Sequence, residues 1–279
     1  MILFKKAVDL AKYLKTTPHQ GMVTGFVPTM GALHEGHISL INRAKMENDL
    51  VACSIFVNPA QFNDKKDLVN YPRTPEADYA MLSNSGCDLL FEPSEAEIYP
   101  SETGFTMDFG SMERVMEGQF RPGHFKGVAK VVSRLFQIVK PDKAYFGEKD
   151  FQQLAIIKEL VRRKDLRVGI VGCPTLRDER GLALSSRNIH LSVDEFNAAP
   201  VIFETLQKAK ASILQDGIAE GKEKLISMIE NSGLFKVQYL DFVDSYSLLP
   251  IEDYDSARQQ RVCTAVLTSK TRLIDNAAL

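Results

Sequence analysis

Residues 22–48 read MVTGFVPTMGALHEGHISLINRAKMEN, and the fold turns on how that stretch divides. "MVTGFV", ending at Val27, is a β-rich run, and "GHISLINRAKMEN", Gly36–Asn48, is a helical pattern. The segment joining them carries Gly31 and His34, with His37 in the first turn of the helix. Strand, glycine-bearing turn and helix form the opening half of a βαβ unit, the building block of a parallel sheet.

The same rhythm continues down the chain. "LVACSIFV" from Leu50 reads as a second strand, "PEADYAMLSNSG" as a helix ended by Gly86, and "DLLFEP" as a third strand. After a less regular region, "HFKGVAKVVSRLFQIVKP" sets Val128, Val131, Val132, Leu135, Phe136 and Val139 at helical spacing, and Pro141 stops it. "KAYFG" is then a short strand, "DFQQLAIIKELVRRKD" a helix, and "LRVGIVGCP" from Leu166 a further strand. Five strands with crossover helices predict an α/β fold, a doubly wound Rossmann-like parallel sheet.

Beyond Pro174 the pattern changes to two helical stretches, "FETLQKAKASILQ" and "GKEKLISMIENS", followed by two strand-like runs, "VQYLDFVD" and "RVCTAVLT". Helices followed by strands predict a smaller α+β domain. The expected division is residues 1–173 for the sheet domain and 174–279 for the smaller C-terminal α+β domain.

Composition narrows the class. A net charge of -2, with 44% hydrophobic and 25% charged residues, is ordinary for a soluble globular protein and carries no basic excess for a nucleic-acid partner. Cys53, Cys87, Cys173 and Cys263 are scattered without CxxC spacing, which suits buried free thiols in a reducing compartment. The start, "MILFKKAVDLAKYL", lacks a signal peptide's long apolar core, and no apolar run approaches the roughly 20 residues of a membrane-spanning helix. A cytoplasmic protein acting on small molecules is the expectation.

In an open parallel sheet, ligands bind outside the carboxyl ends of the strands and against helix N-termini, where "PTMGALHEGH" lies. Gly31 allows close approach of backbone to ligand, and an anion at the helix start meets both imidazoles. A structural, hydrogen-bonded role is the plainer account of either histidine alone. Zinc enzymes of the H-E-x-x-H type space their histidines four apart on a helix face, whereas here the spacing is three with an intervening glycine.

Other segments fall on the same rim. "FVNPAQF" brings Asn58 and Gln61 just after the second strand, with an Asn-Pro turn as the plainer account of Asn58. "YFGEKDFQQ" brings Lys149 and Asp150 after the fourth strand, and Gln153 one helical turn on. "LALSSRN" offers Ser185, Ser186, Arg187 and an amide suited to phosphate oxygens. His124 in "RPGHFKG" is a helix-start residue. There is neither a P-loop nor a G-x-G-x-x-G string, so P-loop ATPases and dinucleotide-dependent dehydrogenases are not supported.

"PTMGALHEGH", "IFVNPAQF", "YPRTPEAD", "HFKGVAKVV", "YFGEKDFQQL", "LSSRN" and "KTRLIDN" resemble, in order and approximate separation, the pantothenate synthetase (pantoate–β-alanine ligase) family of the HIGH-type nucleotidyltransferase superfamily. The resemblance implies condensation of (R)-pantoate with β-alanine to pantothenate through a pantoyl adenylate, releasing AMP and pyrophosphate, by a homodimer. It implies ATP contacts at Met30, Gly31, Ala32, Leu33, His34, Glu35, Gly36 and His37, at Gly147, Glu148, Lys149 and Asp150, and at Leu184, Ser185, Ser186 and Arg187. Leu176 falls at the adenine region. His37 is the implied proton donor, with His34 and Lys149 beside it in catalysis. Gln61 and Gln153 are implied to take pantoate, with Gln61 also at the β-alanine; Asn58 joins them from the reading of its own amide, which suits a hydroxy acid. ATP arrives with Mg2+, for which Asp150 is a candidate contact, and no tightly bound organic cofactor is expected. Leu184 stands where the family commonly has Met, and Leu176 where it commonly has Val, both conservative in size. The competing readings are a transferase moving AMP onto a phosphate acceptor, a zinc hydrolase and a non-catalytic nucleotide-binding module.

Overall fold

Phe26 and Val27 are neighbours, both are completely buried, and they face opposite ways. Val27 joins Leu40, Ile41, Ala44, Leu82 and Leu90 in one apolar cluster, while Phe26 meets the ring of Phe136 edge-on at 6.4 Å. A parallel strand covered by helices on both faces is a continuous apolar run for this reason.

The computed structural model describes residues 1–16, 21–63, 65–100 and 104–279. The strands of the main sheet are β1 (Ile2–Phe4), β2 (Thr24–Thr29), β3 (Leu50–Ile55), β4 (Leu89–Phe91), β5 (Lys143–Gly147) and β6 (Gly169–Cys173). All pair in parallel, in the order β1-β4-β3-β2-β5-β6. The helices are α1 (Ala7–Leu14), α2 (Glu35–Glu47), α3 (Lys65–Asn70), α4 (Pro75–Asn84), α5 (Glu95–Ile98), α6 (Glu117–Phe120), α7 (His124–Val139), α8 (Phe151–Arg163), α9 (Val193–Ala198), α10 (Val201–Gln207) and α11 (Ala209–Glu230). A second, antiparallel sheet is formed by β7 (Lys236–Asp244), β8 (Gln260–Leu267) and β9 (Arg272–Ala278).

The doubly wound α/β class is as expected from the alternation, with two strands more than the sequence pattern indicates. β1 escapes that pattern because "MILF" is short and lies at the sheet edge, paired only with β4. β9 escapes it because its residues, RLIDNAA, mix charged and apolar side chains. The sixth strand starts at Gly169 instead of Leu166, since the Leu166 N–H still bonds the Val161 carbonyl at the end of α8. The helical pattern expected from Asp150 starts one residue later, at Phe151, because Asp150 closes a 3-10 turn, Glu148–Asp150. In the C-terminal part the first predicted helix is broken at Lys208, while Gly217, whose φ of 78° is left-handed, marks the kink between the two predicted stretches.

The chain divides into two units: residues 1–109, 121–148 and 153–174, and residues 110–120, 149–152 and 175–279. In the first unit the strand order reverses between β2 and β5, which makes their carboxyl ends the switch point. In the second, α10 and α11 pack Ile202, Leu206, Ile213, Leu225 and Ile229 against Leu240, Val262, Val266 and Leu273 of the small sheet.

Candidate functional site

At the carboxyl end of β2 the chain turns through Met30–Leu33, with Gly31 at φ 79° and Ala32 at φ 50°. A Cβ on Gly31 would lie 3.0 Å from both Asp78 Oδ2 and Ile55 Cγ2, so this turn requires glycine on both counts. Asp78 of α4 holds the turn in place. Its carboxylate accepts the N–H of Ala32 at 3.0 Å, the N–H of Leu33 at 2.8 Å and the hydroxyl of Thr74 at 3.0 Å, and it is only 2% exposed. The string "YPRTPEAD" supplies the Thr74 hydroxyl but not the task of holding the turn, since the two backbone N–H partners lie 45 and 46 residues away.

His34 is the N-cap of α2 and His37 its N3 residue, and each serves the other's backbone. His34 Nδ1 accepts the Gly36 N–H at 3.1 Å, while His37 Nδ1 accepts the His34 N–H at 3.3 Å. The rings stand 4.1 Å apart between centroids. An imidazole that accepts at Nδ1 carries its proton on Nε2. Each ring therefore presents an Nε2–H donor at a helix N-terminus, a place that already favours an anion. The same arrangement disfavours zinc, because in these tautomers Nδ1 is engaged and Nε2 is protonated. Among the described residues no group of three or more His, Cys, Asp or Glu is placed to hold a metal ion.

Beyond β3, Asn58 caps the 3-10 turn Pro59–Gln61, accepting the Ala60 N–H at 3.3 Å, so the Asn-Pro turn is real. It does more than cap. Fully buried, its Oδ1 also accepts the hydroxyl of Tyr99 at 2.9 Å, and its Nδ2 donates to Gly127 O at 3.1 Å and Gln61 Oε1 at 3.3 Å. These partners fix the orientation of both amides. Gln61 then points its Nε2 at the sulfur of Met30, 2.8 Å away. Desolvation pushes the Tyr99 phenol well up, which keeps it a donor. Gly127 is required where α7 crosses the turn, since a Cβ there would lie 2.1 Å from Ala60 O. His124 opens α7, and its Nδ1 lies 2.8 Å from Gln61 O.

Gly147 ends β5, and Glu148, Lys149 and Asp150 form the 3-10 turn that follows it. Lys149 is half-buried and Asp150 exposed. Of the two glutamines that follow, Gln153 is half-buried, whereas buried Gln152 accepts the Glu117 N–H at 3.0 Å and donates to Met112 O and Val115 O. Leu176 and Leu184 face each other across a hairpin, with the Leu184 N–H on Leu176 O at 3.0 Å. Ser185 caps the following 3-10 turn, accepting the Arg187 N–H at 3.3 Å, and Ser186 and Arg187 are half-buried. The residues singled out from sequence thus divide between the units: His34, His37, Asn58, Gln61 and Gln153 belong to the first, and Lys149 and Ser185–Arg187 to the second.

All four cysteines are free and buried. Burial pushes the thiols of Cys87 and Cys263 up to about 12 and that of Cys173 to about 11, so they pack as neutral side chains. No helix among the described residues is long and apolar enough to cross a membrane.

Residues 2–278 match the family model described as pantoate-beta-alanine ligase. The chain is 49% identical over 277 residues to the pantothenate synthetase of Azobacteroides pseudotrichonymphae, covering 99% of each. It is 45% identical over 279 residues to that of Porphyromonas gingivalis W83, covering 99% of this chain and 98% of the relative. Its structure resembles the crystal structure of pantothenate synthetase from Thermus thermophilus, with a TM-score of 0.91, 41% identity and 99% of each chain covered. A pantoate-beta-alanine ligase from Francisella tularensis, complexed with beta-gamma ATP and beta-alanine, superposes at a TM-score of 0.83 with 39% identity, covering 99% of this chain and 97% of that one.

Proposed function

The chain belongs to the pantoate–β-alanine ligase family, and from that membership we propose how its residues carry out the family's reaction. It is an ATP-dependent ligase that forms a C–N bond between pantoate and β-alanine, giving pantothenate. The observation that carries this reading is the family match across residues 2–278.

In the proposed first step, the carboxylate of (R)-pantoate attacks the α-phosphorus of ATP, the bond to the β,γ-bridged pyrophosphate breaks, and pantoyl adenylate forms. In the second, the amine of β-alanine attacks the acyl carbon, the bond to AMP breaks, and the nitrogen gives up a proton. Little covalent work falls to the protein in the first step; it positions groups and stabilises charge on phosphate oxygens. Met30–His37, Gly147–Asp150 and Leu184–Arg187 are assigned to ATP, with Leu176 at the adenine. His37, with Nδ1 engaged by backbone, is assigned as an Nε2–H donor to the departing pyrophosphate, assisted by His34 and Lys149. Gln61 and Gln153 are assigned to the pantoate, with buried Asn58 setting the orientation of the Gln61 amide through its Nδ2.

Mg2+ is assigned as part of the ATP substrate, leaning on phosphate oxygens, with exposed Asp150 a candidate contact. Residues 1–173 are assigned nucleotide and pantoate binding, and residues 174–279 supply Leu176 and Leu184–Arg187. A cytoplasmic homodimer is the proposed working form. The test is direct: ATP, pantoate and β-alanine together yield AMP and pyrophosphate, and EDTA stops turnover until Mg2+ is restored. ADP and phosphate as products, or rescue by zinc alone, would contradict the reading.

A further inference from the structure

The motif KTRLIDN, residues 270–276, has no task in the reaction as assigned, yet it supplies most of β9. Side chains alternate along a strand, so its residues divide between two faces of the small sheet. Leu273 and Ala277 face the apolar cluster built on α10 and α11. Asp275, on the same face, accepts both guanidinium nitrogens of Arg177 at 2.6 and 2.8 Å, and Arg177 also bonds Gly181 O in the Leu176–Leu184 hairpin. On the other face, Arg272 pairs bidentately with Glu117 at 2.7 and 2.6 Å. Also on that face, Asn276 donates from Nδ2 to the backbone carbonyl of Lys149 at 3.0 Å.

We propose that Asn276 is a positioning residue for Lys149, an inference that rests on the assignment of Lys149 to the phosphates. Asn276 is 5% exposed and locked in orientation: its Oδ1 takes a hydrogen bond from the Arg261 guanidinium, which itself lies 4.2 Å over the ring of Phe151. The amide cannot flip without setting its own N–H groups against that guanidinium. Lys149 is the middle residue of a three-residue 3-10 turn. So short a turn has little internal hydrogen bonding to define it, and the bond to its central carbonyl ties the lysine's backbone to the ladder of β8 and β9. A lysine reaching a transferring phosphoryl group acts through placement, and a shift of about 1 Å can cost about a hundredfold in rate.

The test is a double-mutant cycle read in steady-state kinetics. Asn276→Asp keeps the size and the Arg261 partner while replacing the donor by a carboxylate oxygen facing Lys149 O. It is expected to lower kcat/KM for ATP at least about tenfold, with KM for β-alanine within about twofold of the parent. In a Lys149→Ala background, the same change is expected to alter kcat/KM for ATP by less than about twofold, because coupled residues are not additive. Asn276→Ala, checked by thermal melt, is the second variant and follows the same pattern. Parent-like kinetics in a folded Asn276 variant, with Lys149→Ala impaired, would overturn the inference alone; so would full additivity. Parent-like kinetics of Lys149→Ala would overturn the assignment of Lys149 and this inference with it.

Discussion

Gly31 announces its task at the sequence level, since a glycine between a strand and a helix signals a tight turn, and the structure puts it at positive φ, where a Cβ would also press on Asp78 and Ile55 at 3.0 Å. Asp78 does not, because an aspartate in the first turn of a helix is ordinary and only the tertiary fold shows what it faces. Its two oxygens receive two backbone N–H groups, an arrangement an amide cannot reproduce. Asp78→Asn is therefore expected to destabilise the protein by about 1–3 kcal/mol, the cost of an opposed buried donor, and to weaken use of ATP. Chemical denaturation alongside ATP-dependent kinetics checks this, and an unchanged KM for ATP would separate the turn from nucleotide binding. For the histidines, sequence located the pair but not the tautomer, which depends on cap geometry. At about pH 8, above the ordinary imidazole range near 6.5, long-range proton–nitrogen correlation spectra are expected to show both rings protonated on Nε2. A proton on Nδ1 of His37 would contradict the donor role assigned to it.

Among the elements, α7 was the most legible, because a long apolar stripe at helical spacing fits little besides an amphipathic helix, and nearly its whole inner face is buried. β1 and β9 were the least, one for its three-residue length and the other for its polar residues, which are committed to Arg177, Glu117 and Lys149. Short helices depend on their caps. In α9, Ser192 and Glu195 form a reciprocal box, with the Glu195 carboxylate accepting the N–H groups of Ser192 at 2.8 Å and of Ser269 at 2.7 Å. Those backbone donors, Ser192 first, hold its pKa down to about 2. A lowered carboxylate pKa adds stability above the unfolded-state value of about 4.3, and that contribution is lost as pH falls from there through the folded-state value. Denaturant titrations are expected to show a constant stability gap between the parent and Glu195→Gln above about pH 5, narrowing between about pH 4.3 and 2. A gap that persists undiminished at the acid end would contradict the carboxylate's role.

For the whole molecule, the parallel sheet and a smaller second sheet were legible from the order of elements, while the membership of the second unit was not. Residues 110–120 and 149–152 join it through contacts of high sequence separation: the Glu117–Arg272 ion pair, Tyr239 donating to Glu117 at 2.9 Å, and Gln152 bridging back to Met112 and Val115. No local pattern encodes such contacts. Function was legible further than fold detail because spaced motifs such as "PTMGALHEGH" and "YFGEKDFQQ" carry chemistry in residue types. The central claim is that carboxylate activation proceeds through an acyl adenylate, and isotope transfer tests it most directly. With pantoate labelled by 18O in its carboxylate, one labelled oxygen is expected in the AMP released when β-alanine is consumed; AMP free of label would contradict the account.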